Sequence, residues 1–150
     1  MYKRILVPTD GSEVSDLAVK AAVEFARAYG SEIVAFSVAE PYPINTAAEG
    51  AMVAEPGFQM DLLMDEAEQN VRRVTEAASE AGVKCTTATA FSRYPSDEIL
   101  AAIKRKGCDI VFMGSHGRRG LSRLLAGSET QRVLAYSPVP VMVLRPKSVG

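Results

Sequence analysis

Short apolar runs alternate with amphipathic stretches along the whole chain, and this alternation limits the possible folds more than any other feature. The apolar runs are Lys3–Pro8, Glu32–Val38, Val83–Phe91, Asp109–Met113 and Val139–Arg145. Near-continuous large apolar and β-branched residues mark strands covered on both faces. Between the first two runs, Ser12–Tyr29 places Leu17, Ala18, Ala21, Ala22 and Phe25 at helical spacing, and Gly30 is positioned to end that helix. A second stripe of Met60, Leu63, Met64, Ala67, Val71, Val74, Ala78 and Ala81 predicts a long helix ending at Gly82. Its repeat is too short for an independent coiled coil, so it is expected to pack on its own sheet. Pro95–Lys106 and Ser128–Tyr136 predict two more helices, the first with acids in its opening turn and Lys104, Arg105 and Lys106 in its last. Strands alternating with helices imply a parallel sheet covered on both sides.

The 150 residues suit one domain spanning 1–150, and 47% hydrophobic with 23% charged residues is ordinary for a folded protein. Such a chain buries roughly 70% of its unfolded surface, enough for one sizeable core. Seventeen Lys+Arg against eighteen Asp+Glu leave a net charge of −1, which offers no general attraction to nucleic acid or anionic lipid. The opening apolar run is short and is broken by Pro8 and Asp10, unlike a signal peptide. No stretch approaches the ~20 apolar residues of a membrane span, so a cytoplasmic location is expected. Cys85 and Cys108 form no CxxC pair, and with His116 the only histidine there are too few soft ligands for zinc. Both thiols are expected to be reduced.

Ligands of parallel sheets bind beyond the carboxyl ends of the strands, where strand order reverses. That rule nominates Pro8–Ser12, Val38–Tyr42 and the Gly-rich segment Gly114–Ser128. The low-pattern loop Ala39–Gly57 adjoins the second of these, and loops of that length are often functional. In the third, glycines let backbone amides converge on an anion, and the helix start at Gly127–Ser128 directs free N–H groups and a dipole's positive end outward. Arg118, Arg119 and Arg123 add charge nearby. The same glycines also serve ordinary turns, and Ser128 also reads as a simple N-cap. Asp10 is placed either to accept a hydrogen bond from a ribose or adenine group or to cap the following helix. His116 reads as a loop residue beside the ligand rather than a catalyst. No GxxxxGK[ST], GxGxxG or GxSxG pattern is present.

Gly114-x-x-Gly117, nine residues, then Gly127-Ser128 resembles the G-2x-G-9x-G-[S/T] signature of ATP-binding universal stress proteins. Ile5-Leu6-Val7-Pro8-Thr9-Asp10-Gly11-Ser12 is similar to that family's first strand and loop, and Val133–Val143 to its ending. The resemblance covers the whole chain. It implies an α/β fold: an open, Rossmann-like five-stranded parallel sheet in order 3-2-1-4-5 with two helices on each face, akin to the adenine nucleotide alpha hydrolases. It also implies ATP, with Mg²⁺ at most as its companion, at the sheet's carboxyl edge. Pro8, Thr9 and Asp10 would then border adenine and ribose, Val38 would offer backbone groups to adenine, and Met113 and Gly114 would form part of the nucleoside floor. Gly117, Gly127, Ser128 and Thr130 would surround the phosphates, with His116 and Arg118 beside them. No metal ligand of the protein's own is implied.

Family members are commonly homodimers, and the apolar edge Val139–Leu144 is a surface for pairing with a second copy. The expected function is a homodimeric, nucleotide-switched stress-response or regulatory module acting on a protein partner. The alternatives are a nucleotide-free interaction protein of the same fold, or a slow ATPase. One departure from the pattern is Glu129, where ATP-binding members often carry Val. At a helix N-terminus a carboxylate is favoured by the dipole, but it also competes with phosphate for the same amides.

Overall fold

The computed structural model describes residues 1–41, 56–117 and 126–147. Most of the Ala39–Gly57 loop, together with Arg118, Arg119 and Arg123, lies outside the described residues. The elements in chain order are β1 (Arg4–Pro8), α1 (Glu13–Tyr29), β2 (Glu32–Ala39), α2 (Pro56–Glu80), β3 (Cys85–Phe91), α3 (Pro95–Arg105), β4 (Ile110–Gly114), α4 (Ser128–Tyr136) and β5 (Val141–Leu144). Their sheet is parallel and five-stranded, in order β3-β2-β1-β4-β5. Successive side chains of a strand point to opposite faces. Ile5, Val7, Ile33, Ala35, Ile110 and Phe112 therefore meet α1 and α2 on one face. Leu6, Val34, Phe36, Val111 and Met113 meet α3 and Val133 of α4 on the other.

Local chemistry sets the element ends. Ser12 caps α1 by accepting from the Ser15 N–H at 3.2 Å, and Gly30, at φ 72°, donates its N–H to Ala26 O at 2.8 Å. The buried stripe of α1 is Val14, Ser15, Ala18, Val19, Ala22 and Ala26, so Leu17, expected inside, faces solvent. Small alanines allow the helix to sit close to the sheet, and Leu17 is turned off that narrow seam. Val83, expected to open a strand, instead closes α2: its N–H bonds Ala78 O at 2.8 Å while Gly82 turns at φ 70°. The strand starts at Cys85. Val139 is likewise held in a turn by the Ser137 hydroxyl, so β5 starts at Val141. On α2, Ala67, Val71, Val74 and Ala78 are buried as the stripe predicted, but Met60 is exposed.

Both cysteines are free thiols, and burial pushes Cys108 up to about 11. At the amino edge of the sheet, Arg4 of β1 and Lys84 both engage the Glu32 carboxylate of β2. The Arg4 hydrogen bond holds Glu32 below the usual glutamate value.

Ile5 is fully buried, so Ile5→Ala is expected to cost about 2–5 kcal/mol in urea denaturation, with the five-stranded fold retained by circular dichroism. The lowered Glu32 value means that its stabilisation is present at neutral pH and is lost as pH falls below the ordinary value near 4.3. Glu32→Gln should therefore be less stable than the native chain at pH 7, with the gap closing on acidification to pH 3.

Candidate functional site

Strand order reverses at β1, which lies between β2 and β4, and a cleft of about 430 Å³ opens at the carboxyl ends of these strands. The parallel ladder explains what the strands present there. Alternate residues of β2 turn their main chain toward β1: the Glu32 N–H donates to Lys3 O at 2.9 Å, and Phe36 O accepts from the Thr9 N–H at 2.8 Å. Val38 is the next residue on that side, beyond this closing bond, and it lines the cleft.

Past Pro8 the chain turns sharply. The Thr9 hydroxyl accepts from the Gly11 N–H at 3.1 Å and meets Ser15 Oγ at 3.1 Å, and Asp10 Oδ1 accepts from the Ser12 N–H at 2.9 Å. Asp10 therefore shapes the turn, and the α1 cap that it could have supplied is Ser12 instead. Its other carboxylate oxygen lies against Gly117, where any β-carbon would collide with it. Arg73 of α2 donates to Gly11 O at 3.2 Å, tying this turn to α2.

On the β4 side, the Gly127 N–H donates to Ser115 O at 2.7 Å, and the Thr130 hydroxyl donates to Gly114 O at 3.0 Å. These bonds hold the start of α4 against the end of β4. The N-cap is Gly127, not Ser128, and it supplies no side-chain acceptor. The first intrahelical bond runs from the Gln131 N–H to Gly127 O, so the N–H groups of Ser128, Glu129 and Thr130 have no acceptor within the helix. The Thr130 hydroxyl, expected beside phosphate, is committed to the backbone. His116 stands at the same edge, its Nδ1 3.1 Å from Ser115 Oγ.

The cleft thus brings together Pro8, Thr9, Asp10, Val38, Met113, Gly114, His116, Gly117, Gly127, Ser128, Glu129 and Thr130. Arg118 lies outside the described residues. Sequence reasoning missed the contribution of α2 and α3: Leu63, Glu66, Ala67 and Asn70 form one wall, Pro95 and Ile99 another. Asn70 is buried, its Nδ2 3.4 Å from Ser37 Oγ. An asparagine set between Ala67 and Val71 in an apolar stripe was the available signal. Glu129 caps a neighbouring helix rather than its own, because its Oε2 accepts the Ser96 N–H of α3 at 2.6 Å. Among the described residues, no group of three His, Cys, Asp or Glu is placed to hold a metal ion.

A sequence model of the universal stress protein family matches residues 1–145. Universal stress protein MJ0531 of Methanocaldococcus jannaschii is 34% identical over 148 residues, which span 97% of this chain and 83% of that protein. The solved structure of MJ0577, from the same organism, superposes with a TM-score of 0.81 at 30% identity and covers 99% of both chains. A universal stress protein from Archaeoglobus fulgidus, solved in complex with dAMP, shares the fold at TM-score 0.68 and 17% identity, covering 96% of this chain and 98% of that one.

The glycines of the site differ in the room they leave. A β-carbon on Gly114 would lie 2.9 Å from Val14 Cγ1 and 3.1 Å from Val14 backbone atoms, whereas one on Gly127 would meet His116 only at 3.4 Å. Gly114→Ala is therefore expected to destabilise by about 1–3 kcal/mol in urea melts, and Gly127→Ala by less than half of that.

Proposed function

Because this chain belongs to the universal stress protein family, we propose that it is an adenine-nucleotide-binding regulatory protein, with ATP as the ligand its motif implies. The observation that carries this proposal is the meeting, in one cleft, of the Val38 main chain, the Asp10 carboxylate and the α4 N-terminus with its Gly cap. These are the three chemistries a nucleotide needs. Backbone groups beyond the last β1–β2 bond suit an adenine edge. A carboxylate at the β1 turn suits ribose hydroxyls. Amides without helical acceptors suit a phosphate. The dAMP complex of a protein with the same fold is in keeping with this. Any Mg²⁺ would take its ligands from phosphate and water, and Asp10 is the nearest carboxylate of the β1 turn.

The regulatory action follows from the position of the cleft. A nucleotide there would touch β1, β2 and β4 together with the starts of α3 and α4, so binding would stiffen elements that no single strand connects. The signal would pass to a protein partner through a dimer built on β5. That strand is the sheet edge, with Met142 exposed, and Leu134 and Tyr136 of α4 are exposed as well.

In thermal-shift measurements, ATP, ADP and AMP are expected to raise the melting temperature more than GTP does. The absence of any shift at millimolar nucleotide would remove the proposal. Gly117→Val and Gly127→Val should fold yet lose the shift, since a side chain at 117 displaces the Asp10 carboxylate and one at 127 presses on His116, both of which line the cleft. Normal binding by both variants would place the phosphate elsewhere.

A further inference from the structure

Glu129 directly follows the Gly127-Ser128 pair of the motif, and its placement has a definite electrostatic consequence. α3 begins with Tyr94 at its N-cap and makes no side-chain cap bond of its own. The acceptor comes instead from α4: Glu129 Oε2 receives the Ser96 N–H at 2.6 Å. Arg132, one turn further along α4, reinforces the link through Asp97 of α3 at 3.2 Å. The starts of both helices border the same cleft through Pro95 and Ser128, and Glu129 lines it as well. Two helix dipoles therefore direct their positive ends at one space. An internal carboxylate already occupies an amide of α3, whereas the α4 start has no side-chain cap.

We propose that Glu129 makes this cleft select nucleotides by charge, so that each phosphate beyond the first is bound less well than it would be beside a neutral residue 129. The proposal rests on the nucleotide reading of the cleft and deepens it, by giving residue 129 control over how strongly triphosphate is bound relative to monophosphate. The physical basis is simple. A fixed negative charge at the mouth repels every additional phosphate, and the α3 start, which would otherwise attract it, is already neutralised. For unit charges about 5 Å apart in a partly hydrated site, such a repulsion corresponds to about a tenfold loss of affinity.

The test is calorimetric titration of AMP and ATP, each with and without Mg²⁺, into the native protein, Glu129→Gln and Glu129→Val. Gln keeps an acceptor for the Ser96 N–H and removes only the charge, so the fold is not at issue. The expected result is that Glu129→Gln tightens ATP about tenfold more than AMP. Mg²⁺ or 0.5 M salt should shrink that difference, because both screen the repulsion. Glu129→Val should show the same change in the ATP-to-AMP ratio with a lower melting temperature, since it also loses the α3 cap. An ATP-to-AMP ratio that agrees within twofold across the native protein and Glu129→Gln would overturn the proposal. A ratio that changes only in Glu129→Val would overturn it too, by assigning the effect to packing. If neither nucleotide binds any of the three proteins, the nucleotide reading itself falls and takes this inference with it.

Discussion

A parallel sheet covered by helices on both faces leaves its backbone groups one way out, at the strand ends. Here the faces are covered by α1 and α2 on one side and by α3 and α4 on the other, around β1, β2 and β4, whose central residues are nearly inaccessible. The hydrogen-bonded ladder must stop somewhere, and it stops at the Thr9 N–H on Phe36 O. Beyond that bond β1 and β2 part, because β1 turns into α1 while β2 continues to Ala39. The cleft is what remains when the strand order reverses beside this divergence.

Close backbone approach is what gives the cleft its shape. Gly114 lies against Val14, Gly117 against the Asp10 carboxylate, and Gly127 against His116. The first two contacts join segments about a hundred residues apart in the chain, and neither leaves room for a larger residue at no cost. The glycines of the motif are therefore packing requirements as much as ligand contacts. The two roles share one cause, since a backbone free of side chains can meet either a neighbouring strand or an anion. The Gly127 N–H and the Thr130 hydroxyl, both bonded to the end of β4, fix where the open amides of α4 point.

Glu129 shows how a local rule can be satisfied by a distant partner. A carboxylate in the first turn of a helix is normally taken as support for that helix. Here it serves α3, whose own N-cap residue contributes no side-chain acceptor. The α3–α4 pair is consequently joined by charge at the mouth of the cleft and by apolar packing deeper in. The mouth is where a ligand's charge would be felt.

The sequence alone determined the order and kind of every element, the parallel sheet, and the family to which the chain belongs. It could do so because burial on both faces writes itself as unbroken apolar runs, and helices as a stripe of period 3.6. It also located the strand-end segments that line the cleft, since glycine spacing and the Pro-Thr-Asp turn are local signals. Tertiary structure decided what local pattern does not encode. Leu17 was turned outward because α1 seats on its alanines, and Val83 became a helix cap rather than a strand residue. Asn70 and Glu66 became a wall of the site only because α2 lies across the end of β2. The partner of Glu129 was likewise a matter of which helix start packs beside it. Contacts between segments dozens of residues apart depend on how faces meet, and a periodicity read along one segment carries no information about the face opposite.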